Sequence, residues 1–370
     1  MKTSRSTWII AGLILVAAAF LGLIAMAVIG FEVGINGFVI GFLMASVPVP
    51  FYVAFALWVD RFEPEPAWLL ALAFVWGAAI AVFFSLIFNS LNEGILTAVA
   101  GAASASTLTA VLSAPFVEEL TKGAALLLLF VWKRDEFDNV TDGIVYATMV
   151  GLGFAMTENV QYYGRAVAEG SGGAMAVFFM RGVMGPFAHP LFTSMTGIGL
   201  GLASHARGRA ARLLLPPAGL ALAVLLHAAW NASAFFTGAT ENGLIMLGSY
   251  FVVMVPTFVS LLAVVGFALR REGRVLREQL RADCERGLFT HDEYLRLCSL
   301  RQRAGASFGA LTRRGLAAWR ARMRLNRAAS ELAFHRHRVA RGVTSRDGRD
   351  AEREAVYLRQ IHELLKSSHQ

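Results

Sequence analysis

The stretch APFVEELTK, residues 114–122, sets Glu118, Glu119 and Lys122 directly ahead of the apolar run GAALLLLFVW. Adjacent carboxylates resist ionising together, which suits one of them to act as a general base or acid near neutral pH. Three later segments carry further chemistry. GLGFAMTENVQYY holds Glu158 and Asn159, AHPLFTSMTGIGLG holds His189 and Thr193, and LLHAAWNAS holds His227 and Asn231. Histidines offer hydrogen bonds to a water or an oxyanion, or ligands to a divalent metal. An asparagine amide can stabilise developing negative charge. Glutamate, two histidines and asparagine around one water form a set suited to peptide-bond hydrolysis.

Spacing supports a shared site. Glu118 and Lys122, Glu158 and Tyr162, His189 and Thr193, and His227 and Asn231 are each four apart, so each pair lies on one face of a helix. At about 1.5 Å per residue, Glu119 lies ~21 Å from Lys133, His227 ~22 Å from Arg212, Glu158 ~24 Å from Asp142 and His189 ~24 Å from His205. If those four markers sit at the cytoplasmic surface, the groups share one layer in the outer half of a ~30 Å hydrocarbon core. A charge at that depth costs a few kcal/mol, at least ~2.5, so several on successive spans are best explained by meeting one another. A polar layer of this kind also suits an ion- or proton-coupled transporter, which is the competing reading. The two halves of the chain show no matched pair of broken spans to support it.

The elements that position these groups are membrane helices. The chain is 56% hydrophobic and only 16% charged, too apolar for a soluble protein of this length. The expected fold is all-α: a polytopic bundle of about eight spans, near 8–30, 37–59, 67–89, 106–132, 140–163, 175–203, 213–236 and 243–269. Lys2 and Arg5 precede a first apolar run too long for a cleaved signal peptide. Basic residues gather on alternate connections, including Lys133, Arg134, Arg207, Arg209 and Arg212, which predicts that both termini are cytoplasmic.

Two domains are expected: residues 1–269 in the membrane and a basic, mostly helical, soluble tail at 270–370. From Arg270 onward, 23 Lys and Arg face 12 Asp and Glu, which leaves 11 and 14 for the rest of the chain. The tail should break at Gly287 and restart with Thr290 and Glu293 as a capping box. A second Arg-rich stretch covers Arg313–Val339, and the simplest form is a solvated helical hairpin. Its surface suits anionic lipid of the inner leaflet. Arginines interleaved with acids and apolar positions argue against nucleic acid. Cys284 and Cys298 lack metal or disulfide spacing and read as a reduced thiol pair.

The motifs EELTK, GLGFAMTENVQYY, HPLF and HAAWN, in that order, resemble the PrsW family of intramembrane proteases, which is related to the CAAX-processing endopeptidases. The loop DRFEPEP, residues 60–66, is similar to that family's loop before a span, and the likeness covers roughly residues 40–268. The resemblance implies a polytopic endopeptidase that cuts a membrane protein, such as a single-pass anti-sigma-factor-like client, in a bacterial plasma membrane. It makes Glu118, Glu119, His189 and His227 the catalytic set, with Lys122, Glu158, Asn159 and Asn231 as accessory positions. On this reading Glu119 or Glu118 deprotonates a water, and His189, His227 and Asn231 orient it and hold the oxyanion. Lys122 keeps the neighbouring acid ionised. If a zinc ion takes part, His189, His227 and Glu119 are its expected ligands. The spacing lacks HExxH, so no cofactor is specified by sequence.

Overall fold

The computed structural model describes residues 5–185, 187–342 and 348–368, and over these it contains helices and no strand. Lys2, used above for orientation, lies outside the described residues. The chain divides into two compact units. One comprises the segment up to Trp58 together with Glu65–Ala263; the other comprises Val59–Pro64 with Val264–Gln370.

The first unit begins with α1 (Arg5–Ser46), kinked at Gly34, and α2 (Val49–Val59). Next, α3 (Ala67–Val75) passes through a π-helical turn, Trp76–Ala81, into α4 (Val82–Ala100). Likewise α5 (Ala102–Leu108) passes through Thr109–Ser113 into α6 (Ala114–Trp132). After α7 (Val140–Glu169), α8 (Ser171–Phe178) passes through Phe179–Met184 toward α9 (Ala188–His205). The unit closes with α10 (Arg209–Thr240), α11 (Gly243–Ser249), the turn Tyr250–Met254 and the first part of α12 (Val255–Glu285). Five runs are long and apolar enough to cross a membrane: Ser6–Val59, Ala67–Ala100, Val140–Glu169, Arg209–Thr240 and Gly243–Glu285. The first holds two of the expected spans. Of the remaining two, 106–132 is helical and 175–203 is two helices that part at Gly185; together they carry most of the site's charges.

α7 is the central helix, with Ile144–Ala155 buried throughout. Its start is fixed locally: the Asn139 side chain accepts from the amides of Thr141 and Asp142, and the Asp142 carboxylate accepts from the amide of Asn139. Around it the helices approach at glycines. A Cβ on Gly143 would stand 2.2 Å from the Gly197 carbonyl oxygen of α9, so only glycine permits that crossing. Two of the π-helical turns leave a carbonyl for a neighbouring helix: Thr157 Oγ1 donates to Ala78 at 2.7 Å, and Asn231 Nδ2 donates to Ala110 at 3.0 Å.

The second unit contains the remainder of α12, then α13 (His291–Cys298), α14 (Leu300–Ala340) and α15 (Asp350–Ser368). Gly287 takes a positive φ of 81°, and the Thr290 hydroxyl caps α13 by accepting from the Glu293 amide at 3.2 Å. Arg336 ties this unit together. Its guanidinium donates to Asp283, to Glu354 at 2.8 Å and to the Gln279 carbonyl at 2.9 Å. The Val59–Pro64 segment joins it through a fully buried Phe62, which lies under the Arg303 guanidinium, and through a 2.7 Å ion pair between Glu63 and Arg338. Cys284 and Cys298 are both free thiols.

Candidate active site

Glu118, Glu119 and Lys122 stand on the inner face of α6, and all three are buried. The opposite face, at Leu127 and Val131, is exposed and apolar, as a lipid-facing surface must be. The Lys122 side chain bends back one turn. Its Nζ donates to Glu119 Oε1 at 2.9 Å and to Glu118 Oε2 at 3.4 Å, and lies 3.8 Å from the centre of the Phe154 ring. It also lies 2.9 Å from Nδ1 of His189. His189 occupies the first turn of α9, followed by Pro190, which costs no hydrogen bond there because first-turn amides have no helical partner.

The two imidazoles are held as defined tautomers by their partners. An ammonium only donates, so His189 Nδ1 accepts from Lys122, and His189 Nε2–H donates to Glu158 Oε2 at 2.8 Å. His227 Nδ1–H donates to Glu119 Oε1 at 3.0 Å, which leaves its Nε2 lone pair 3.8 Å from Glu118 Oε2. A lone pair and a carboxylate oxygen that close repel unless a proton, a water or a cation lies between them. Both histidines are therefore braced by a carboxylate on one nitrogen; the other nitrogen of His189 accepts from Lys122, and that of His227 has no hydrogen bond among the described residues. A carboxylate brace is the arrangement by which metal-binding histidines are oriented.

The two adjacent glutamates differ sharply in their surroundings. Glu119 is fully buried and saturated: Lys122 and His227 meet Oε1, and Thr193 Oγ1 donates to Oε2 at 2.9 Å. Glu118 meets Lys122 and His227 only through Oε2, which leaves Oε1 unbonded among the described residues. One ligand atom each from Glu118, His189 and His227 lie within 4.8 Å of one another. The ligand set expected from sequence used Glu119; the structure gathers Glu118 with the two histidines instead.

Glu158 is held on its far side by Arg181, whose Nη2 donates to Oε2 while its Nε donates to Asn159 Oδ1 at 2.7 Å. The guanidinium also stacks 3.7 Å over the ring of Tyr162. Asn159 thus enters the cluster through Arg181. Arg181 itself is absent from the sequence-derived set, although a lone arginine inside the apolar stretch AMAVFFMRGVMG is a visible signal. Asn231 is placed one step away: its amide donates to the Ala110 carbonyl and to no member of the cluster. Three carboxylates against Lys122 and Arg181 leave one negative charge, which favours a bound proton or cation.

The donor set fits a zinc ion, which binds through two histidines and a carboxylate and keeps one position open when it is catalytic. Comparison with known proteins agrees with this chemistry. The family model described as PrsW family intramembrane metalloprotease matches residues 65–261. The chain is similar to "Protease PrsW" of Geobacillus kaustophilus, 33% identical over 147 residues, which is 40% of this chain and 59% of that protein. It is similar to the proteins of the same name from Oceanobacillus iheyensis, 29% identical over 45% of this chain and 70% of the relative, and from Bacillus subtilis, 27% identical over 46% and 72%. The match thus spans little more than half the length of the Geobacillus protein. No solved structure matches the chain.

Proposed function

The chain belongs to the PrsW family of intramembrane metalloproteases, and from that premise we propose that it hydrolyses a peptide bond of a membrane-protein client inside or beside the bilayer. The observation that carries this reading is the buried group of Glu118, His189 and His227, with their donor atoms within 4.8 Å. The relatives are named as proteases, and this disfavours the transporter alternative.

Without a metal, Glu118 is the group that receives the proton of the attacking water, because its Oε1 is open while both oxygens of Glu119 are engaged. Glu119 positions His227, and Glu158 positions His189. Nε2 of His227, a lone pair 3.8 Å from Glu118 Oε2, accepts a hydrogen bond from the attacking water, while Nδ1 of His189 accepts from Lys122. Lys122 aligns Glu118 and Glu119 by donating to both. His189, His227 and Glu118 would hold zinc, which when bound polarises the scissile carbonyl and acidifies its water. The depth expected from the sequence, in the outer half of the bilayer, supports cleavage of a client span on that side. The alternating basic connections support cytoplasmic termini, and the bacterial relatives support residence in a bacterial plasma membrane. A single-pass anti-sigma-factor-like protein is the client class, and anionic lipid is the partner of the basic tail.

The test is a comparison of membrane proteomes from cells carrying the wild-type chain and the Glu119→Gln chain. One client should persist at full length only in the variant, with its cut site mapping to the outer half of its span. Indistinguishable proteomes for wild type and a Glu118→Gln/Glu119→Gln chain would refute the protease reading. Cleavage that survives exhaustive chelation, in protein free of metal by elemental analysis, would exclude zinc and leave Glu118 acting on water alone.

A further inference from the structure

The second unit carries a feature that hydrolysis does not use. Nine arginines and no lysine, aspartate or glutamate lie between Tyr294 and Ser330. The rest of the tail balances its charge; this segment does not.

Within it, α14 is not one straight rod. Gly315 has φ 81° and ψ −173°, outside helical values, and the chain turns back there. Two cross-links fix the return. Arg303 donates to Ser330 Oγ at 3.0 Å and to the Asn326 carbonyl at 2.6 Å, and Asn326 Nδ2 donates to Ser307 Oγ at 3.2 Å. Both pairings are centred on residue 316, so residues 300–340 form a helical hairpin with its tip beside Gly315. The hairpin's base is packed, with Leu325, Ala328 and Ala329 buried. Its tip is not: no residue from 304 to 324 is buried.

That tip exposes side chains of two kinds. Phe308 is 67% exposed and Leu316 51% exposed, with Leu311 and Met323 also open. Arg313, Arg314 and Arg320 are exposed among them. Apolar side chains standing free in water are unfavourable, and their clustering marks a surface that is covered by something. Arg322 pairs with Glu293 and Arg327 with Glu331, whereas Arg313, Arg314 and Arg320 meet no acid among the described residues, and that selects an anionic cover. A bilayer with anionic headgroups satisfies both at once, taking the apolar side chains below the headgroups while the arginines stay among the phosphates. A nucleic acid backbone would engage the arginines but leave the aliphatic side chains in water. The chain enters this unit directly from the apolar run Gly243–Glu285.

We propose that the hairpin tip around Gly315 is a lipid-docking element that inserts Phe308 and Leu316 into an anionic membrane surface, with Arg313, Arg314 and Arg320 on its headgroups. This rests on the chain being embedded in a membrane and not on proteolysis, so it can fail or stand independently of the site.

The experiment is hydrogen exchange, read by mass spectrometry, on the full chain in nanodiscs of phosphatidylcholine with or without phosphatidylglycerol. Amides 306–324 should exchange about tenfold more slowly, or better, in the anionic bilayer, as several arginines acting together require. High salt should remove the effect. The Arg313→Gln/Arg314→Gln/Arg320→Gln chain should lose it, and so should Phe308→Ser/Leu316→Ser, while amides 325–333 at the base keep their protection. Equal exchange in both bilayers overturns the proposal. Slow exchange in both, insensitive to these variants, means that protein covers the tip and overturns it too. Slowing only on addition of single-stranded RNA would assign the surface to nucleic acid instead.

Discussion

His189 and Glu158 are joined by a 2.8 Å bond from Nε2 to Oε2. That bond ties the first turn of α9 to the middle of the central helix and links the buried cluster to Arg181, which grips the same carboxylate oxygen. It also leaves Nδ1 of His189 as the nitrogen that accepts from Lys122.

Arg181 should therefore matter for rate more than for folding. Changing Arg181 to Gln frees Glu158 to rotate and lets His189 relax. Loss of a partner of this kind typically costs about 10–100-fold, and the loss should fall on kcat with KM nearly constant. Arg181→Lys should recover part of it. Kinetics on the client identified by the proteome comparison would check this, alongside Arg181→Gln/Glu158→Gln, which should be no worse than Glu158→Gln alone.

Lys122 is the residue whose loss should most damage the fold. It is fully buried, and it compensates Glu118 and Glu119 together. In Lys122→Met those acids lose their shared counter-ion, at a cost of about 3–5 kcal/mol. Thermal unfolding in micelles should show a large drop that Lys122→Met/Glu119→Gln partly recovers.

Gly151 of α7 faces the backbone that carries the site's first histidine. A Cβ there would meet Pro190 N at 2.7 Å and the His189 carbonyl carbon at 2.9 Å. Neither backbone atom can swing aside as a side-chain end would. Gly151→Ala should still insert but lose most of its turnover, because displacement of a positioned group by about 1 Å costs on the order of 100-fold. Gly173→Ala, which meets open space, is the control and should be silent.

In the second unit, burial pushes the Cys298 thiol up to about 12. The unfolded chain releases this proton first, near pH 8.5. Cys298 therefore contributes stability that is complete below about 8.5 and is lost as pH rises toward 12. The thiolate is the reactive form. Iodoacetamide at pH 8 to 10 should label Cys284 in the native chain and Cys298 only after denaturation, as peptide mass spectrometry would show.

What the sequence determined was the helical membrane character, the basic tail and most members of the buried cluster. Those are local properties. Apolar runs of spanning length, acids and histidines four residues from a polar neighbour, and a threonine cap before α13 can each be read from a few adjacent residues. Glu118, Glu119, Lys122, Glu158, His189 and His227 all stand in one cluster for the reason that made them conspicuous, since isolated charges are costly in lipid.

What the tertiary structure decided was the division of labour among them. Sequence treats Glu118 and Glu119 alike, yet a step of one residue turns a side chain about 100° around a helix, and only Glu119 meets Thr193. Asn231 looked like a member of the layer, but the π-helical turn before α6 offers it the Ala110 carbonyl. Arg181 comes from its own π-helical turn, whose phase no helical periodicity predicts. Which oxygen or nitrogen stays open depends on where helices cross, and the crossings are set by glycine contacts between segments far apart in the chain.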